Sequence, residues 1–140
     1  MAKRANIDPA LLPEVRMDRM REEMYRLRRA VLSLVPERYR DLIDPPYNFT
    51  QEEGRHWDYE VVSRIIELVK PDAEGRSACP LCGDTTQSFG VGFSVPTGLE
   101  RHLLGSHRSR ECDVMYAAKG LLRGRHRKLY PEDFGPYGCD

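Results

Sequence analysis

Five side chains able to bind a soft cation are concentrated in the second half of this 140-residue sequence: Cys79, Cys82, His102, His107 and Cys112. Two thiols with two residues between them, followed by two imidazoles with four residues between them, have the spacing of a structural zinc site. The run Cys79-Pro80-Leu81-Cys82-Gly83 has the form of a zinc knuckle. In such a tight turn backbone amides point at both thiolates, and a glycine after the second cysteine eases the turn. A redox dithiol is the competing chemistry for Cys-Pro-x-Cys, but it wants a buried strand before it and a helix starting at the first cysteine. Here a charged stretch precedes the pair and a glycine-rich one follows, which favours metal.

His102 and His107 are separated by about 500° of helical rotation. Both reach one ion only if the helix carrying them loosens near Gly105. Cys79, Cys82, His102 and His107 form the leading ligand set, and Cys112 is the alternative fourth ligand in place of His107, giving Cys-Cys-His-Cys. Cys139 reads as an ordinary free thiol. A closed four-ligand site leaves no position for water or substrate, so its role is structural. No nucleophile elbow, phosphate-binding glycine loop or open-metal motif accompanies it, and His56 and His126 stand in no supporting pattern, so no catalytic residues and no enzyme are expected.

The pattern from Cys79 to His107, with Phe93 and Leu99 ahead of the histidines, resembles a Cys2His2 zinc finger and covers about a fifth of the chain. The resemblance implies a small core of Phe93 and Leu99 beside the metal and a helix supplying the histidines. It also implies base-reading positions at Val95, Gly98 and Arg101, of which only Arg101 can make a bidentate contact to guanine. Ten residues lie between Cys82 and Phe93, more than the family uses, so the hairpin, with a strand over Ser88–Phe93, must be enlarged. The implied object is a single atypical finger embedded in a larger helical domain, not a sequence reader.

The elements that must position these ligands are mostly helical. After a loose lead-in over 1–12, Met17, Met20, Met24, Leu27, Val31 and Leu34 recur at spacings of three and four between Glu14 and Val35. This is a heptad seam, expected to pack on the protein's own helices, with a protein partner via residues 14–35 as the alternative. Pro36 opens a short helix over Glu37–Ile43, closed by Asp44-Pro45-Pro46. Thr50-Gln51-Glu52-Glu53 is a capping box for a helix reaching about Val69, with Trp57, Val61, Ile65 and Leu68 on its inner face. Residues 70–78 read as a polar linker. Thr97 and Glu100 predict a second capping box, and Ser109 a cap for a helix over Arg110–Leu122. The fold class is therefore α+β, mainly α, with a helical region over 1–70 and a zinc-finger module with a basic C-terminal helix over 71–140.

Apolar residues make up 40% and charged residues 31%, which suits a globular chain. No stretch is apolar enough to span a bilayer, and the N-terminus lacks a signal-peptide core, so a cytoplasmic, reducing location and no membrane partner are expected. Acidic and basic residues balance at 22 each. Their distribution is uneven, because Arg101, Arg108, Arg110, Lys119, Arg123, Arg125, Arg127 and Lys128 face only Glu111 and Asp113 between positions 101 and 128. All of these except Lys119 are candidate nucleic-acid-binding residues, contacting backbone phosphates without reading sequence. The sequence thus predicts a zinc-binding regulatory protein with nucleic acid as a partner. A protein-interaction or inhibitor module with a purely structural zinc is the alternative, and oligomeric state is open.

Overall fold

The computed structural model describes residues 13–86, 90–106 and 110–134, with side chains from Met17 onward. In chain order the elements are α1 (Pro13–Ser33), α2 (Glu37–Ile43), α3 (Gln51–Leu68), β1 (Arg76–Ser77), β2 (Phe93–Ser94), α4 (Thr97–Leu104) and α5 (Asp113–Leu129). A 3-10 turn follows at Pro131–Asp133. The architecture is α+β and mainly helical, as the sequence predicts. Among the described residues no helix is long and apolar enough to cross a membrane.

Helix α3 starts as its sequence dictates. The Glu53 amide donates to the Thr50 hydroxyl at 3.1 Å, and the Thr50 amide donates to the Glu53 carboxylate at 2.8 Å. Two amides left free by the first turn are thereby satisfied. Its buried stripe is Trp57, Val61, Val62 and Ile65, each aliphatic side chain adding about 1.5–3 kcal/mol on full burial. Helix α5 meets it with Val114, Ala117, Ala118 and Leu121, all buried. Helix α4 contributes Leu99 and Leu103, both wholly enclosed. The small residues on α5 let α1 approach as well, and the Arg28 guanidinium lies where a Cβ on Gly120 would stand.

The heptad seam of α1 behaves differently from its expected packing on the protein's own helices. Met17, Met20, Met24, Leu27 and Leu34 are 43–83% exposed, and every residue from 17 to 27 faces solvent. Only Val31 of the seam packs against the core, beside the buried Leu32 and Val35. The reason is length: α1 reaches α5 only with its C-terminal turns, and the rest runs past the body. The α1 terminus itself is held by Arg40, which donates to the carbonyls of Ser33 and Val35.

Residues 70–78 are not only a linker. Asp72 accepts from the amides of Glu74 and Arg76, both at 2.9 Å, in a turn that Gly75 completes at φ +77°. The chain then enters β1, which pairs antiparallel with β2, Arg76 opposite Ser94 and Ser77 opposite Phe93. Of the strand expected over 88–93, residues 88 and 89 lie outside the described residues, and only Phe93 belongs to β2. The capping box expected at Thr97 is not formed. Ser94 instead takes the Gly98 amide at 3.1 Å, one turn earlier in the chain.

Candidate metal centre

The knuckle follows β1 directly. The Leu81 amide donates to Cys79 Sγ at 3.4 Å and the Asp84 amide to Cys82 Sγ at 3.5 Å. Gly83, at φ +82°, makes the turn that aims them. Helix α4 brings His102 from the other side, with its ring stacked on Phe93, centroids 4.5 Å apart and planes within 17°. Phe93 and the buried Leu99 thus flank His102, in the positions the finger resemblance implies.

Helix α4 ends at Leu104, with Gly105 at φ +84°. The chain turns there, and the Cys112 amide donates to the His102 carbonyl at 2.8 Å. This carries the Cys112 thiol into the cluster. Its Sγ lies 3.9 Å from Cys79 Sγ, and Cys82 Sγ lies 3.3 Å from His102 Nε2. All four ligand atoms of Cys79, Cys82, His102 and Cys112 lie within 4.8 Å of one another. A tetrahedron with metal–sulfur bonds of about 2.3 Å has sulfur–sulfur edges of about 3.8 Å, so the spacing fits one ion. His107, the expected fourth ligand, lies outside the described residues, as do Cys139, Arg108 and Ser109.

Among the protein groups themselves, the first negative charge settles on Cys79. The Cys112 thiol donates to it, and with further donation from His102 and nearby amides its pKa falls to about 4 despite burial. Burial raises Cys82 to about 11. The hydrogen bond to Cys79, and burial after it, push Cys112 far up. A bound cation is what would allow all three sulfurs to be thiolates at neutral pH. Four protein ligands close such a site, which suits a structural ion.

The described basic residues of the second half differ in their surroundings. Arg101 is exposed on α4, and Lys128 is exposed near the end of α5. Arg110 is exposed and pairs with Asp113 at 2.9 Å. Arg123 is half-buried in a cleft beside α3. Arg125 is turned inward: it is buried, donates to the Pro45 carbonyl, and lies 3.9 Å from both Asp44 and the Tyr47 ring centroid. The Arg127 guanidinium sits 5.1 Å from the centroid of Phe134. The expected helix end at Leu122 is passed because α5 continues to Leu129, with Arg125 and His126 buried against segments 45–49 and 130–134.

Sequence reasoning gave no role to His126, which the fold makes a junction. It is buried, its Nε2 lies 2.7 Å from Asp133, and Asp133 also pairs with Arg55 at 3.3 Å. The only available signal was His126 and Asp133 lying seven residues apart around Pro131.

Fold and site together define a mainly helical α+β protein closed by a Cys3His cluster that can hold a metal ion. No family model, curated protein or solved structure matches the chain.

Proposed function

We propose that this chain is a non-enzymatic zinc protein that works by docking another protein's amphipathic helix on the projecting half of α1. The observation carrying this reading is the exposure of Met17, Met20, Met24 and Leu27, at 51, 58, 43 and 60%, on one heptad seam. A helix solvated on every side over residues 17–27 gains little from propensity alone, since short isolated helices are marginal in water. Methionine-rich seams adapt to partner side chains, and helix-on-helix docking uses this spacing. The flanking charges argue against a second copy as occupant. Antiparallel self-pairing centred on this stretch sets Arg21 against Arg21 and Glu23 against Glu23. In a parallel pair the matching Arg28 already lies against Gly120 of α5.

Zinc fits the site by donor set and spacing, and its role is to hold the knuckle, α4 and the start of α5 together. The test combines capture of partners from lysate with titration of the purified partner. Met20→Asp with Leu27→Asp should abolish that binding while metal content and circular dichroism stay at wild-type values. Unchanged binding by the double variant, or a wild-type dimer that the double variant dissociates, would refute the reading.

Contact with nucleic-acid phosphates is the second reading, favoured by the exposure of Arg101 and Arg110 in the chain around the metal ligands and of Lys128 near the far end of α5. It requires binding at low salt that weakens steeply as salt rises. Arg101→Ala with Lys128→Ala should flatten that slope, and an absence of binding at low salt removes this reading.

A further inference from the structure

A second site is independent of the metal and of α1. Helices α3 and α5 leave a cleft of about 450 Å³ between them, which Asp133 and Phe134 also line. That volume is within the range of small-ligand pockets, roughly 300–1,000 Å³. The charged and titratable groups facing it are Arg55 and Asp58 from α3, Lys119, Arg123 and His126 from α5, and Asp133 from the turn.

Their pairing leaves one cation unused. Lys119 is held by Glu111 at 3.0 Å and by Asp58 at 3.7 Å. Arg55 is held at one Nη by Asp133, which is itself bonded to His126. Arg123 is half-buried and makes no hydrogen bond or ion pair among the described residues. Three cations, Arg55, Lys119 and Arg123, face two carboxylates, Asp58 and Asp133, in the cleft, with Glu111 holding Lys119 from outside it. Both carboxylates are already engaged, which fixes the direction of Lys119 and Arg55. Leu122 and Phe134 supply an apolar wall beside them.

We propose that this cleft binds a small phosphomonoester, with Arg123 and Arg55 taking the phosphoryl oxygens and Leu122 and Phe134 packing on the ester's apolar body. Guanidinium groups bind phosphate through paired, charge-assisted hydrogen bonds, and a dianion satisfies two of them better than a monoanion does. A phosphodiester carries only one charge, so it meets the same cations less well.

The test uses the metal-loaded full chain and phenyl phosphate, followed by amide chemical shifts and calorimetry. Saturable binding is expected with a Kd on the order of 1 mM or tighter. Shifts should centre on Arg55, Arg123 and Leu122. Inorganic phosphate should bind more weakly, and a dinucleotide without a terminal phosphate more weakly again. Arg123→Gln should lose at least about tenfold in affinity, whereas Lys70→Gln, exposed and outside the cleft, should be unchanged. Thermal melts of both variants check that they fold. The proposal is overturned by absence of saturable shifts in the cleft or by equal losses in the two variants. Inorganic phosphate binding as tightly as the ester, or the dinucleotide more tightly, overturns it equally.

Discussion

Replacing Cys112 by serine tests the centre most directly. The Cys112 thiol is 1% exposed and 3.9 Å from Cys79 Sγ, so a shorter, harder hydroxyl in its place stays inside the cluster but binds zinc poorly. Structural zinc is worth about 10–16 kcal/mol to small metal-built folds. If four ligands share this evenly, losing one costs about 3 kcal/mol, or on the order of 100-fold in metal affinity. The loss should extend to the fold, because the cluster is what ties the start of α5 to the knuckle and α4; serine is itself a good N-cap, so the cost comes from the lost sulfur ligand. The measurement is competition for zinc against a chromophoric chelator, with metal stoichiometry on the purified variant and a thermal melt. Serine at Cys112 should bind at least tens of times more weakly and melt earlier. His107→Ala measured alongside should stay within a few fold of wild type. The reverse outcome, wild-type affinity for Cys112→Ser and loss for His107→Ala, would show that the sequence-favoured histidine is the fourth ligand.

Three further outcomes follow from the packing. Chelating the metal should collapse near-ultraviolet dichroism from the Phe93 and His102 surroundings and lower the melting temperature, with recovery on adding zinc; an unchanged melt would deny the ion a structural role. Gly54→Ala should destabilise by up to about 2 kcal/mol, since a Cβ there would stand 2.8 Å from Phe49 and 2.9 Å from His126, and overpacking of about 1–3 kcal/mol is offset by only roughly 1 kcal/mol gained in helix propensity. A melt at or above wild type would contradict it. The His126 hydrogen bond, aided by Arg55, holds the Asp133 carboxyl below the ordinary carboxylate range. A carboxyl depressed in the fold stabilises fully above its unfolded pKa, near 4, and that stability is lost as pH falls through the lower folded value. Asp133→Asn should therefore flatten the acid limb of a stability–pH profile below about pH 4, and identical wild-type and variant limbs would rule the coupling out.

How much was legible in the sequence differed by element for physical reasons. Helix α3 was readable because its cap is local: Thr50 and Glu53 are three residues apart, and its apolar stripe keeps a single period. Helix α2 was readable from Pro36 and the prolines after Asp44. The period of α1 was visible, but its exposure was not, because a heptad seam does not state where its neighbour ends. Strand β1 was hidden by polar residues, since its pairing with β2 depends on a partner sixteen and more residues away. Three ligand-cluster members were legible from spacing. The fourth, Cys112, was visible only as an alternative, because its approach depends on α4 ending at Gly105 and on the amide link to His102. Charge density on paper likewise could not show that Arg125 is spent on Pro45 and Tyr47.

The double employment of Cys112 has a kinetic consequence. Its backbone starts α5 while its sulfur joins the cluster, and its amide is tied to the His102 carbonyl. An ion held there cannot shed that sulfur by a side-chain rotation alone, because the thiol is enclosed and the main chain beneath it is anchored at both ends. Exchange with outside metal then waits for the first turn of α5 to fray. The lifetime of the bound ion becomes a clock for local opening of the helix, set separately from how tightly the ion binds.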